Sequence, residues 1–201
     1  MKKLIILIAV SVSILTASAQ EKIKQQELGL VFQNLDNFGV MYKFGHQKSM
    51  WRLKSIYGTT TNYKEKGEYE ENSHKYNRFG IGFGKQCNAS IDEHLNFIYG
   101  MDITGTYSSS LDEEFDSESE LRRTIEDKRY SVGLNFVLGF NYALNQRFVF
   151  GVELLPGADY YTSSTSTKYE KYENDDTEMD ESGLNIGLSS SSALLSVAYR
   201  F

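Results

Sequence analysis

The sequence predicts an all-β protein, an eight-stranded antiparallel up-and-down barrel that spans a membrane with short turns at one end and long loops at the other. Three observations predict it. Apolar and polar residues alternate in eight separate stretches, the period of two that gives a strand one greasy face. The connections between those stretches are short at one end and long at the other, as in barrels inserted in a bilayer. The chain has 14 Tyr, 12 Phe and 16 Gly but one Pro, a bias toward strands.

Residues 1–19 read as a signal peptide. Lys2 and Lys3 precede an apolar stretch from Leu4 to Leu15, and Ala17-Ser18-Ala19 forms a small-x-small cleavage site. The apolar stretch is too short for a stable anchor and turns polar at Gln20. The expected mature chain is a single barrel domain over 20–201. No Cys stands at the cleavage point, which argues against a lipid anchor, and Cys87 is the only cysteine, so no internal disulfide forms.

The first strand is Glu27–Gln33, with Leu28, Leu30 and Phe32 on one face, and the second is Phe38–Phe44. Trp51–Tyr57 and Phe79–Phe83 supply the third and fourth. In 95–107 the odd positions Leu95, Phe97, Tyr99, Met101, Ile103 and Tyr107 are apolar, facing away from Asn96, Asp102 and Thr104. From Tyr130 to Tyr142 every even position is apolar, and 148–160 repeats the pattern from Phe148 to Tyr160. The eighth stretch, Leu184–Phe201, is apolar on even positions to Leu188 and on odd positions from Ala193. A β-bulge within Ser189–Ser192 restores a single outward face. The turns 34–37, 45–48, 86–93 and 144–146 contrast with the longer 62–75, 108–128 and 162–182. Strands of about 10 residues, tilted by about 40°, are about 25 Å tall, the height of an apolar band in a bilayer.

Eight strands also suit a soluble lipocalin-like binding protein, since both barrels close the sheet to remove edges. The faces argue for membrane. An interior of eight strands has room only for side chains, and a Phe-, Tyr- and Leu-rich face overfills it, whereas Gly, Ser and Asn fit. Outward aromatics also fall near strand ends: Tyr107, Tyr130 and Tyr160 towards the long loops, and Tyr42, Trp51, Tyr142 and Tyr199 towards the short turns, as two interfacial girdles require.

With that orientation the lumen is expected to receive Glu27, Lys43, Arg52, Lys54, Arg78, Lys85, Asp102, Glu153, Asp159 and Arg200. Buried charges must be paired, so the sequence predicts a structural salt-bridged plug centred on Arg52 and Arg78 against Asp102 and Glu153. A narrow pore is the alternative, disfavoured by the width of the bore.

This pattern, ending on Val197, Tyr199 and Phe201, resembles the small OmpA/OmpX-type outer-membrane β-barrel proteins of Gram-negative bacteria. The resemblance covers Gln20–Phe201 at the level of pattern and implies outer-membrane localisation, with periplasmic turns and extracellular loops. It implies that Val197, Tyr199 and Phe201 act as a C-terminal insertion signal for the barrel assembly machinery. Outer-membrane lipid and lipopolysaccharide are then the surroundings, and a monomer is expected. The sequence ends without the peptidoglycan-binding domain that follows the barrel in some relatives.

Acidic residues number 27 against 21 basic ones, a sign that argues against nucleic acid as partner. Ser108–Lys128 holds eight acids and three bases, and Thr162–Ser182 seven and two. Cation bridging to lipopolysaccharide phosphates at Asp112–Asp116 and Asp175–Glu181 is one reading; neither fits the EF-hand pattern, and solvated surface charge is the preferred one. Tyr160, Tyr161, Tyr169 and Tyr172 suit an adhesive surface. No metal-ligand cluster or nucleotide fingerprint appears, so no cofactor or metal is expected, and Gly80, Gly82 and Gly84 read as a strand's lumen face. Some relatives modify lipid A. The combination such chemistry needs is here confined to His74 with Ser108–Ser110 and Asp112, at no distinctive spacing. The expected function is therefore a non-enzymatic one: a structural or surface-interaction barrel displaying acidic loops.

Overall fold

The computed structural model describes residues 24–33, 38–67, 70–116, 121–170, 176–188 and 193–201. The signal peptide expected at 1–19, the 34–37 turn and the bulge expected within Ser189–Ser192 lie outside the described residues. Ten strands follow one another: β1 (Lys24–Phe32), β2 (Phe38–His46), β3 (Ser49–Lys66), β4 (Glu70–Ser90), β5 (Leu95–Asp116), β6 (Leu121–Ala143), β7 (Phe148–Leu154), β8 (Gly157–Tyr169), β9 (Thr177–Gly187) and β10 (Ala193–Arg200). All pairings are antiparallel. They close a ring of eight, β1 to β7 in sequence and then β10, which returns to β1.

The two remaining strands continue ring strands upward. Leu155 and Pro156 separate β7 from β8, because proline donates no hydrogen bond. The rail on β6 is nevertheless unbroken. The Phe136 amide donates to the Pro156 carbonyl at 2.7 Å, and the register that pairs Leu138 with Leu154 also pairs Asn135 with Gly157. On the far side the register slips by three residues, since Ala193 faces Leu154 but Gly187 faces Gly157. An odd slip exchanges the two faces of a strand. Hence Leu184 and Ile186 are exposed on even positions of β9, and Leu195, Val197 and Tyr199 are exposed on odd positions of β10.

The segments read from sequence as long loops are largely strand. β3 and β4 pair as far as Lys66 and Glu71, and β5 and β6 as far as Asp116 and Leu121. Apolar alternation fades there because both faces meet water, yet Ser, Thr and Tyr still favour an extended chain and the backbone ladder continues. β1 and β2 are nine residues each and do not rise with the others. Above the ring the wall is therefore an open sheet, β3–β4–β5–β6–β8–β9. Among the described residues its edges are the upper part of β3 and all of β9.

Asx geometry closes two of the short turns. Asp92 Oδ1 accepts from the amides of His94 and Leu95, 2.7 Å each, and these bonds hold its carboxyl below the usual carboxylate range. Asn145 Oδ1 accepts from Arg147 and Phe148, 2.8 Å each.

The faces are oriented as the bore requires. Phe136 is 50% exposed and Phe150 43%, while Asp102, Arg52 and Glu153 are 0% exposed. Apolar side chains also enter the lumen: Val31, Met41, Ile98, Val137, Leu155 and Leu194 form a buried cluster, so the interior is less uniformly polar than glycine and charge alone suggest. Outside, aromatic pairs stand near both rims. Tyr107 meets Tyr130 at 4.9 Å between centroids on the long-hairpin side. Trp51 stacks on Phe83 at 5.2 Å and Phe148 meets Tyr199 edge-on at 5.5 Å on the short-turn side.

Candidate functional site

A buried ion cluster lies across the bore. Arg52 reaches it from β3, where even positions face inward. Its Nη2 donates to Glu153 Oε2 of β7 at 2.5 Å, and its Nη1 donates to Gln86 Oε1 of β4 at 3.2 Å. Its Nε lies 3.3 Å from Asp102 Oδ1 of β5. Lys54 Nζ stands 2.8 Å from Asp102 Oδ2, and Lys43 Nζ 3.7 Å from Glu153 Oε1. The Arg52 contacts with Glu153 and Gln86 have hydrogen-bond geometry; those to Asp102 are ion pairs without it. Three cations thus surround two carboxylates, with Gln86 filling the remaining side.

Glycine makes the room. A Cβ on Gly84 would sit on Asp102 Oδ1 and the Met101 carbonyl, and one on Gly82 would meet Lys54 Cε at 2.8 Å. A second cluster lies beside the chain end, where Arg200 Nη2 approaches Glu27 Oε1 at 2.9 Å and Gln25 Nε2 donates to the same oxygen at 2.9 Å.

Of the four residues predicted for the plug, the structure brings Arg52, Asp102 and Glu153 together and leaves Arg78 out. Arg78 pairs in register with Thr59 and Ser108, well above the Arg52–Gly84–Asp102 row, and is exposed. The expectation fails because alternation gives the face of a residue and not its height. Lys85 is a second correction. It shares the odd, outward positions of Phe79, Ile81 and Phe83, and its Nζ lies 5.3 Å over the Trp51 ring. Gln86, completely buried, carried no signal beyond its even position. Lys43 and Lys54 were legible as lumen residues, though not as partners of these two acids.

Above the plug lies a cavity of about 680 Å³. Polar side chains of β4, β5, β6, β8 and β9 line most of it, including Tyr76, Arg78, Ser108, Asp127, Arg129 and Asp159. Arg129 is stacked over Tyr161, with 3.7 Å from its Cζ to the ring centroid. Tyr161 in turn donates to Glu181 at 2.6 Å.

Higher on the sheet His74 Nδ1 contacts Asp112 Oδ1 across paired strands. Ser110 and Ser108 share that face and pair with Tyr76 and Arg78, one and two rows lower. The acids read as a cation site alternate across β5: Asp112 and Glu114 share one face with His74 and Asn72, and Glu113 takes the other. Among the described residues no three His, Cys, Asp or Glu side chains are placed to hold a metal ion.

Val197, Tyr199 and Phe201, read as an insertion signal, face outward on the last strand, with Tyr199 and Phe201 stacked at 6.5 Å. Among the described residues no helix is long and apolar enough to cross a membrane. The closed ring does so instead, since only helices and closed barrels leave no backbone group unpaired in lipid. A closed barrel with an apolar exterior, aromatic rims and a charged bore is the architecture of an integral outer-membrane protein, and on that ground this is an outer-membrane β-barrel.

No protein-family model matches the chain. No curated protein matches it either. Solved structures do. A major outer membrane protein from Thermus thermophilus is 12% identical, with 89% of this chain and 100% of that one covered at a TM-score of 0.45. CarO of Acinetobacter baumannii is 10% identical, with 92% and 99% covered at 0.35. Ail, the attachment invasion locus protein of Yersinia pestis, is 13% identical, with 89% and 97% covered at 0.39. The barrel itself rests on this chain's own strand register.

Proposed function

We propose that the protein is a sealed, non-enzymatic barrel that anchors an acidic β-sheet at the cell surface, in a structural or surface-interaction role. The observation that carries this reading is the pairing of a plugged bore with a wall that continues as strand beyond the aromatic rim. The 0% exposure of Arg52, Asp102 and Glu153 supports a closed path, and a six-stranded sheet is a stiffer display than irregular loops. Outer-membrane lipid and lipopolysaccharide surround the outer wall in this reading. The barrel assembly machinery engages Val197, Tyr199 and Phe201 during insertion. A monomer is supported by charge on the edges of the sheet among the described residues: Lys64, Glu65 and Lys66 on β3, and Glu178, Asp180 and Glu181 on β9. Charge along an edge discourages pairing with another chain.

The test is a gel and a recording on the same purified barrel. A band that shifts between boiled and unboiled samples, with no single-channel events in a planar bilayer, is the expected result. Identical migration of a soluble periplasmic product returns the lipocalin-like alternative, and discrete openings return the pore.

The His74–Asp112 contact supports a second reading, lipid A modification, because an oriented imidazole is half of a hydrolytic centre. Against this reading, Ser110 and Ser108 lie one and two rows below the His74–Asp112 pair, and among the described residues neither bonds to the imidazole. His74→Ala is expected to leave the lipid A acylation pattern unchanged by mass spectrometry; an altered pattern makes the protein an enzyme.

A further inference from the structure

We propose that the cavity above the plug is a binding site for a single-chain amphiphile with an anionic head, a phosphate, sulfate or carboxylate, drawn from the outer leaflet. The head site is a row of three side chains. Arg78 on β4 and Arg129 on β6 are both register partners of Ser108 on β5, so all three share one face. Strands lie about 4.8 Å apart, which sets the two guanidinium-bearing backbones about 10 Å apart with a hydroxyl between them. Arginine forks offer paired donors to such an anion. Neither arginine is in an ion pair among the described residues; Arg129 is held by the Tyr161 ring instead. The cavity's other cation, Lys54, is already committed to Asp102. Among the described residues its acids are in no ion pair with either arginine: Asp127 accepts from Thr165 at 3.4 Å and Asp159 from Asn185 at 3.2 Å.

The tail path lies on the opposite wall. Leu155 and Leu194 line the cavity from within, buried to 8% and 3% exposure. Ile186, on the outward face of β9, and Leu188, just past the end of that strand, line it too, yet they are 76% and 60% exposed. A side chain that faces lipid and also borders the cavity marks where the cavity breaks through the wall. The opening lies at the β9 edge, which has no neighbour beyond it among the described residues, and below Leu184, the register partner of the rim residue Tyr160. That height is within the outer leaflet. An inorganic anion has no use for the leucines, and a neutral lipid has none for the arginines. A cavity of about 680 Å³ is within the ordinary range for a small-molecule site.

The experiment measures retention of radiolabelled dodecyl phosphate by the mature chain in lipid nanodiscs. The wild type is expected to bind it saturably, and Arg78→Ala combined with Arg129→Ala to bind about ten-fold more weakly or worse. Ile186→Asp combined with Leu188→Asp tests the tail path and is expected to weaken binding as well. Both pairs lie outside the plug, and heat-modifiable migration confirms that each variant is folded. Undiminished retention by the arginine variant overturns the proposal, as does displacement of the label by inorganic phosphate as effectively as by unlabelled dodecyl phosphate. Retention unaffected by the aspartates overturns entry from the leaflet.

Discussion

Arg52→Met is expected to destabilise the folded barrel by about 3–5 kcal/mol, the cost of removing one partner from a buried ion cluster. The side chain is completely buried and contacts Glu153, Asp102 and Gln86 at once. Methionine keeps most of the volume and none of the charge, so the loss is electrostatic. Asp102 then has only Lys54, and Glu153 only Lys43 at 3.7 Å. Arg78→Met, well above the cluster and exposed, is the control, expected within about 0.5 kcal/mol of wild type as for most surface substitutions. Urea unfolding of barrels refolded into liposomes measures both. Equal midpoints for the two variants would show that the cluster does not hold the ring together.

On the outer wall, Phe136→Arg is expected to cost about 2–4 kcal/mol, and Tyr130→Arg about 0–1 kcal/mol, because the penalty for a lipid-facing charge falls with distance from the bilayer midplane. Both residues are outward on β6, with 50% and 55% exposure. Phe136 lies midway between Tyr130 and Tyr142, which stand at opposite rims. Fractional exposure is therefore nearly the same while depth differs, which separates immersion in hydrocarbon from loss of an aromatic surface. The same liposome assay reads the difference, and a soluble barrel in detergent-free buffer would show none.

Much of the fold was legible because a barrel turns one simple periodicity into a statement about environment. Phe136 and Asn135 differ by one position, and that difference sends one to lipid and the other to the lumen. The same rule placed Arg52, Asp102 and Glu153 inside. What it does not encode is height. Which inward residues meet depends on the stagger of strands around the ring, set by many cross-strand pairings at once, so Arg78 was grouped with residues that lie rows below it. Lys85 shows a different failure. A charge next to glycines invites a lumen assignment, but its odd position puts it with Phe83, and Trp51 beneath it explains how the ammonium is accommodated at the rim. The hairpins above the rim were hidden because alternation disappears once water bathes both faces, although hydrogen bonding between strands persists.

The interruption at Leu155–Pro156 and the three-residue slip between β9 and β10 occur side by side, at one level of the wall. There the β8–β9 hairpin is attached to the transmembrane ring mainly along β6. Cooperative units separate at such places, and this one divides the part that satisfies the bilayer from the part that meets the environment. Sequence change above that line therefore leaves the register of the ring intact, so the upper sheet is free to diversify while the ring stays fixed.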